Sequence, residues 1–486
     1  MNFPILTSIL LAPVIGLLAI LLTPRTKEQL IRQIALASAT ATLIFSILLF
    51  TRFVPNQTGL QFMEHTPWLS TLGIHYTNGI DGLSIMMILL TAIVIFTGVI
   101  CSWTVTYRVK DFFALMLFLV TGVFGVFMTT NLFFFFLFYE VAVLPMYLLI
   151  LVWGSTNKEY AAAKLTLYLL LGSAFILTAF LAIYALPQAH TFDLLAIKQQ
   201  VQFSPEFQKL FYPFLFFGFG VLAGCFPFHV WSPDGHVAAP TAASMLHAGV
   251  LMKLGAYGIL RIGLFLFPEG AHFWSPYTAI LALMNIVYGA LVASQQKDIK
   301  YVIGYSSVSH MGIVLLGIST LSINGINGAI FQMFSHGIMT ALFFACVGFI
   351  YDHYHTRQFD ELGGLAKTMP KLATFFIIGG LCGLGLPGMS GFVAELLVTL
   401  GAVQTYPVIG IISIIGLVIT AYYVLSAIQA VFYGKHNSHH APAPDLRPWQ
   451  FFPRAILIAV LILFGVWPQL FLHWVDFSTR LLVGSL

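Results

Sequence analysis

The sequence is poor in charge: Asp, Glu, Lys and Arg make up only 8% of its 486 residues. Soluble domains carry about 25%. So sparse a set cannot cover a water-soluble fold of this length, which excludes a soluble enzyme or carrier. Cysteine is scarce as well. Cys101, Cys225, Cys346 and Cys382 lie in separate apolar segments with no CxxC among them. That spacing excludes an iron–sulfur, zinc or disulfide framework and leaves the four as small core residues. The net charge of +4 is scattered without a basic stripe, so nucleic acid is not a partner. No polar stretch is long enough to form a separate soluble domain.

What is abundant is apolar. The chain is 59% hydrophobic and holds 46 Phe and 19 Tyr. These residues fall in runs of about 18–25, the length that crosses a hydrocarbon core. The runs predict an all-α integral membrane protein of about fourteen transmembrane helices, the first at 3–22 and the last at 452–475. The first run has no basic leader and no small-residue cleavage site after it, and reads as a retained span. Of the 21 Lys and Arg, fifteen fall in alternate connections and five in the others. The positive-inside rule then puts both termini on the non-cytoplasmic side.

Two runs, 211–238 and 371–401, are too long and contain helix breakers: Pro227 inside Gly224–His229, and Pro387 inside Leu384–Gly391. Proline removes a backbone donor and clashes with the preceding turn. Irregular backbone at membrane depth survives only inside protein or along a wet cavity. Pro227 lies 115 residues after residue 112, and Pro387 lies 115 residues after residue 272, the starts of the fourth and ninth spans. The chain therefore divides into three N-terminal helices (1–111), a five-helix repeat (112–263), a second five-helix repeat (264–435), and a polar loop with a last helix (436–486). Five is odd, so the second repeat is inverted. Inverted repeats with broken helices at their centres are a transporter architecture.

Glu140, Lys253 and Glu395 are the ionisable groups expected near the middle of spans. Each costs about 2.5–3.5 kcal/mol on insertion scales. Burial disfavours the charged form of either type, which allows proton exchange near neutral pH; a fixed helix–helix ion pair is the alternative role. His229 and His236 flank the first break, His247 lies six residues before Lys253, and His310 and His336 fall in the tenth and eleventh spans. Histidine titrates in the useful range, so these are candidate relay groups. None of the five shares HxxxH spacing with another or has a Cys partner, so no metal site is expected. Gly383-x-Gly385-x-x-Gly388 follows no strand and is not a dinucleotide loop. His436, His439 and His440 read as part of a solvated loop, and Asp81 as the N-cap of the third span.

The sequence resembles the antiporter-like chain M (mitochondrial subunit 4 type) of NADH:quinone oxidoreductase, respiratory complex I. The resemblance rests on Gly79-Ile80-Asp81-Gly82-Leu83-Ser84, Phe138-Tyr139-Glu140 with Leu144-Pro145-Met146-Tyr147, and Pro227-Phe228-His229-x-Trp231-x-Pro233-Asp234. It continues through Leu251-Met252-Lys253-Leu254-Gly255, Tyr305-Ser306-Ser307-Val308-Ser309-His310-Met311-Gly312, Gln332-Met333-x-Ser335-His336-Gly337 and Gly385-Leu386-Pro387-Gly388, covering about residues 79–435. It implies fourteen helices with two inverted half-channels and a proton path through Glu140, Lys253, His336 and Glu395. It also implies no redox cofactor in this chain: NAD, FMN, iron–sulfur clusters and quinone belong to partner subunits. The implied setting is a bacterial inner (cytoplasmic) membrane, beside other membrane-arm subunits. Glu140 is expected to bias Lys253 through its charge. An Mrp-like cation/proton antiporter or a membrane-bound hydrogenase-type complex would share the fold. One departure stands out. The family's lysine five residues before the first break's proline is Leu222 here, and His247 stands where an apolar residue is usual. Either His247 or His229 takes over part of that lysine's role, or the first half-channel has lost its switch.

Overall fold

The computed structural model describes residues 4–433 and 443–486. His436, His439 and His440 lie outside the described residues. Among the described residues, eighteen helices account for most of the structure: α1 (Ile5–Leu22), α2 (Glu28–Arg52), α3 (Gly82–Cys101), α4 (Val109–Met128), α5 (Leu132–Trp153), α6 (Lys158–Tyr184), α7 (Leu194–Gln200), α8 (Pro205–Ala223) and α9 (Trp231–Ala238). They continue as α10 (Thr241–Leu264), α11 (Pro268–Ser294), α12 (Ile299–Ser319), α13 (Ile323–Tyr354), α14 (Pro370–Gly383), α15 (Ser390–Thr405), α16 (Pro407–Tyr433), α17 (Pro448–Val466) and α18 (Pro468–Gly484). Among the described residues, twelve of these are long and apolar enough to cross a membrane. The two interrupted runs appear as helix pairs, α8 with α9 and α14 with α15, and each proline sits in the irregular link between them.

Burial sorts the helices. The apolar windows of α10 and α13 are 100% buried and that of α12 is 94% buried, whereas those of α1, α2, α5, α6, α11, α16 and α17 are 33–44% buried. The second group carries the exposed apolar surface that lipid solvates: Leu167, Val408, Ile411 and Val418 are 60–70% exposed. The first group forms an enclosed centre.

Two features of the backbone depart from the sequence reading. Residues 61–80 form an antiparallel hairpin, β1 (Gln61–Leu69) with β2 (Ile74–Ile80), turning at Gly73 in the left-handed region. Glu64 of β1 accepts from the backbone of Leu6 (3.0 Å) and Thr7 (2.9 Å), satisfying donors at the first turn of α1. The last expected span, 452–475, is divided at Trp467-Pro468, and the following α18 is amphipathic. Its Phe471 stacks on Phe331 of α13 at 4.1 Å, and Asp476 accepts from Asn327 at 2.8 Å.

Asp81 caps α3 as expected, accepting from Leu83 (3.0 Å) and Ser84 (3.2 Å). It also takes both ends of the Arg261 guanidinium, at 2.6 and 2.9 Å. Arg261 belongs to no exposed loop. It is 8% exposed and also donates to Tyr257 and Ser84. Lys300 and Arg357 are likewise buried, Lys300 donating to the carbonyls of Ala239 (2.8 Å) and Val237 (3.2 Å). Buried charge therefore extends beyond the three residues singled out from sequence.

Candidate functional site: a buried row of ionisable side chains

The site begins where α10 loses regular geometry. His247–Leu251 forms a π turn, and a second one spans Ile259–Leu264. Such widened turns recur at functional sites. Here the Ala248 carbonyl, inside the first turn, accepts from the Lys253 ammonium at 2.5 Å. The same ammonium reaches Nδ1 of His336 on α13 at 2.7 Å. Paired glycines allow this approach: a Cβ on Gly337 would lie 2.6 Å from the Gly249 carbonyl oxygen, and one on Gly249 would lie 3.1 Å from that of Gly337. Lys253 is 0% exposed.

The row continues across α13, α12 and α15. His336 and His310 face each other with ring centroids 5.2 Å apart. His310 Nδ1 meets the Gln332 amide at 3.1 Å and lies 3.5 Å from Glu395 Oε1. The last separation is longer than a good hydrogen bond, and a small shift would close it. Nε2 of both His310 and His336 is buried without a protein partner. Glu395 is 5% exposed, and Gly385 of the second break fits against it: a Cβ there would meet Oε2 at 2.5 Å. Lys253, His336, His310 and Glu395 thus follow one another from the π turn to the second broken helix, hydrogen-bonded at the first step.

Glu140 lies apart from that line. It is half-buried on α5 and accepts a short hydrogen bond from Ser173 of α6. Its neighbour Tyr139 is fully buried against Phe219. Leu222 is fully buried on α8. His229 is buried between Phe226 (5.6 Å) and Tyr288 (5.1 Å), with neither ring nitrogen bonded. His247 instead pairs with His236, Nδ1 to Nδ1 at 3.0 Å.

Asn285 of α11 escaped the sequence reading. Its amide accepts from the Phe226 backbone at 2.5 Å and donates to the carbonyls of Gly224 (2.9 Å) and Val308 (3.2 Å). It satisfies backbone groups that the first break frees, and its side chain is completely buried. A lone intramembrane Asn facing a Pro-containing break is the signal that could have found it.

A cavity of about 160 Å³ lined by Ser102, Trp153, Thr241, Lys300 and Asp352 reaches the corner between α9 and α10. Lys164 and Asp234 pair at 2.7 Å near that corner.

The chain matches known proteins in sequence and in fold. Residues 129–420 match the family described as NADH:quinone oxidoreductase/Mrp antiporter, transmembrane. The chain is 37% identical to the NADH-quinone oxidoreductase subunit M of Rickettsia prowazekii, over 97% of each chain. It is 36% identical to an NAD(P)H-quinone oxidoreductase chain 4 of Trichormus variabilis, over 98% of this chain and 91% of that one. A chain of respiratory complex I from Thermus thermophilus superposes with a TM-score of 0.91 and 27% identity, over 99% of both. A chain of the Mrp complex from Dietzia sp. shares the fold, with a TM-score of 0.86 at 20% identity over 99% of this chain and 98% of that one. The chain belongs to the NADH:quinone oxidoreductase/Mrp antiporter family of multi-pass membrane proteins.

Proposed function

We propose that this chain is a proton-translocating membrane-arm subunit of an NADH:quinone oxidoreductase of complex I type, moving H⁺ as quinone is reduced elsewhere in the assembly. The observation that carries this reading is the line Lys253–His336–His310–Glu395, with its 2.7 Å amine–imidazole contact inside the enclosed centre. A proton taken up from the cytoplasmic cavity beside Lys300 and Asp352 is held at Lys253. It passes to His336, crosses to His310 and leaves by way of Glu395. Glu140, held by Ser173 at the side of the chain, is where an adjoining subunit's charge acts, and its influence reaches Lys253 through the packing of α5, α6 and α8.

In this reading residues 112–263 and 264–435 are the two half-channels, after an N-terminal part at 1–111 and before a C-terminal part at 436–486. The termini lie on the non-cytoplasmic side of a bacterial inner membrane. NAD, FMN, iron–sulfur clusters and quinone are held by partner subunits, and this chain does no redox chemistry. The names of its relatives support such an assembly. So does the exposure of Pro227, Leu386 and Pro387 in the isolated chain. Irregular backbone at that depth is not stable against lipid, so a neighbouring subunit covers it.

The shared fold of an Mrp complex favours a second reading, a cation/proton antiporter subunit. Affinity purification from native membranes separates the two. Copurifying NADH- and quinone-binding subunits are expected, and antiporter subunits in their place would overturn the first reading.

A further inference from the structure

Three cavities meet at Trp449, the second residue of α17. The first is an apolar groove of about 640 Å³, lined by Leu36 and Thr40 of α2, Phe96 and Ile100 of α3, and Phe452 of α17. Phe96 and Phe452 meet there edge to face at 6.4 Å. Trp103, just past the end of α3, and Trp449 also line it, and indoles settle at a membrane–water boundary. The second cavity, of about 590 Å³, has charged walls: Asp352, His353, His355, Asp445 and Arg447. The third is a link of about 20 Å³, room for about one water, whose walls include Ile100, Thr104, Asp352 and Arg454. It shares residues with both of the others. The charges along these walls are incompletely paired. Asp445 caps the start of α14, accepting from the backbone of Lys371 (2.8 Å) and Leu372 (3.3 Å). Asp352 is exposed, and its carboxylate accepts no hydrogen bond among the described residues. Arg454 is 4% exposed, donates to the carbonyls of Gln450 (2.6 Å) and Ala345, and keeps Nε without a partner. No carboxylate pairs with Arg454 or with the exposed Arg447 among the described residues.

We propose that the groove and the charged cavity together hold one phospholipid with a primary-ammonium, zwitterionic headgroup, of the phosphatidylethanolamine type. An acyl chain lies in the groove. The phosphate meets Arg447 and offsets the buried charge of Arg454, which is costly while it lacks an anion. The ammonium donates to Asp352, a charge-assisted bond that the carboxylate finds nowhere in the chain. Charge selects this headgroup over others. A phosphatidylglycerol supplies the phosphate but leaves Asp352 beside an added anion. A phosphatidylcholine has no N–H to donate. Boundary lipid held by the groove alone would show no such preference, because acyl chains of all three are alike. Asp352 also lines the cavity that reaches Lys300, so the bound headgroup borders the place where protons are taken up in the function proposed above. The lipid site itself does not depend on that reading.

The test uses the whole complex in detergent, photolabelled with a phosphatidylethanolamine that carries a diazirine on one acyl chain. Labelled peptides are mapped by mass spectrometry. Label is expected in α2, α3 and α17, around Thr40, Phe96 and Phe452. Unlabelled phosphatidylethanolamine should compete at about fivefold lower concentration than phosphatidylglycerol or phosphatidylcholine, the effect of about one charge contact at a membrane surface. Asp352→Asn and Arg447→Ala should each remove most of that preference while the label stays on the same peptides, because neither change touches the groove. Equal competition by the three lipids in the parent complex would reduce the groove to ordinary boundary lipid and overturn the proposal. So would an unchanged preference in both variants. Absence of label from these peptides would mean that protein covers the groove in the assembly, and would overturn it too. If neither variant assembles, the competition on the parent complex decides. Proton pumping is not the readout, so failure here leaves the proposed function standing.

Discussion

Gly337→Ala separates the use of the Lys253–His336 contact from its mere presence. The new methyl would lie 2.6 Å from the Gly249 carbonyl oxygen and 2.8 Å from Leu90 Cδ1. A carbon–oxygen contact relaxes to about 3.3 Å, so α13 and the π turn must part by about 0.7 Å. If the whole of that shift fell on the Lys253–His336 contact, its 2.7 Å would open to about 3.4 Å, outside the range of a good N–H···N bond. Overpacking of this kind costs about 1–3 kcal/mol, which leaves a chain of this burial folded. A misplacement of 1 Å in a reacting pair costs about 10²-fold in rate, so a fall in pumping on the order of tenfold is expected. The assay is proton uptake by proteoliposomes holding the whole complex, normalised to assembled subunit, with thermal stability measured in parallel. A variant with the lower stability of an overpacked helix pair but pumping within about twofold of the parent would refute the reasoning.

Asn285→Leu removes three hydrogen bonds, two of them to the first break, and should destabilise the subunit by about 2–4 kcal/mol, read as a lower melting temperature or lost assembly. Gly385→Ala forces an alanine to φ +70° and a methyl onto Glu395. The backbone cost is about 1–2 kcal/mol, and impaired proton release with near-normal assembly is expected in the same vesicle assay. Asp81→Ala strands the buried Arg261 guanidinium, at a cost of about 3–5 kcal/mol. The double variant with Arg261→Leu should recover most of that loss in a denaturation series, whereas additive losses would contradict the pairing.

Long-range order in this chain was legible because lipid imposes simple rules. An apolar run of the right length must be a helix, so most helix ends fall within a few residues of the expected ones, and Pro227 and Pro387 mark the two links correctly. The hairpin at 61–80 was missed because short alternating segments carry little signal beside twenty-residue apolar runs. The break at Pro468 was missed because Trp467 and Leu470 keep the run apolar through it. At the site, Lys253, His336, His310 and Glu395 were recoverable because ionisable groups inside spans are rare. Their connection was not, since it depends on the Gly249–Gly337 approach and on a π turn that leaves no mark in hydropathy. The burial of Arg261, Lys300 and Arg357 was hidden for a related reason. Near a span end, sequence cannot distinguish a cation reaching solvent from one folded back onto carbonyls or a carboxylate.

The central claim is that protons travel along the buried line from Lys253 to Glu395. Protons pumped per electron by the reconstituted complex carrying Lys253→Met, set beside Glu395→Gln, test it most directly. The account predicts that either change lowers the ratio by the same amount and that the double variant lowers it no further. A full ratio in either single variant, at wild-type assembly, would contradict it.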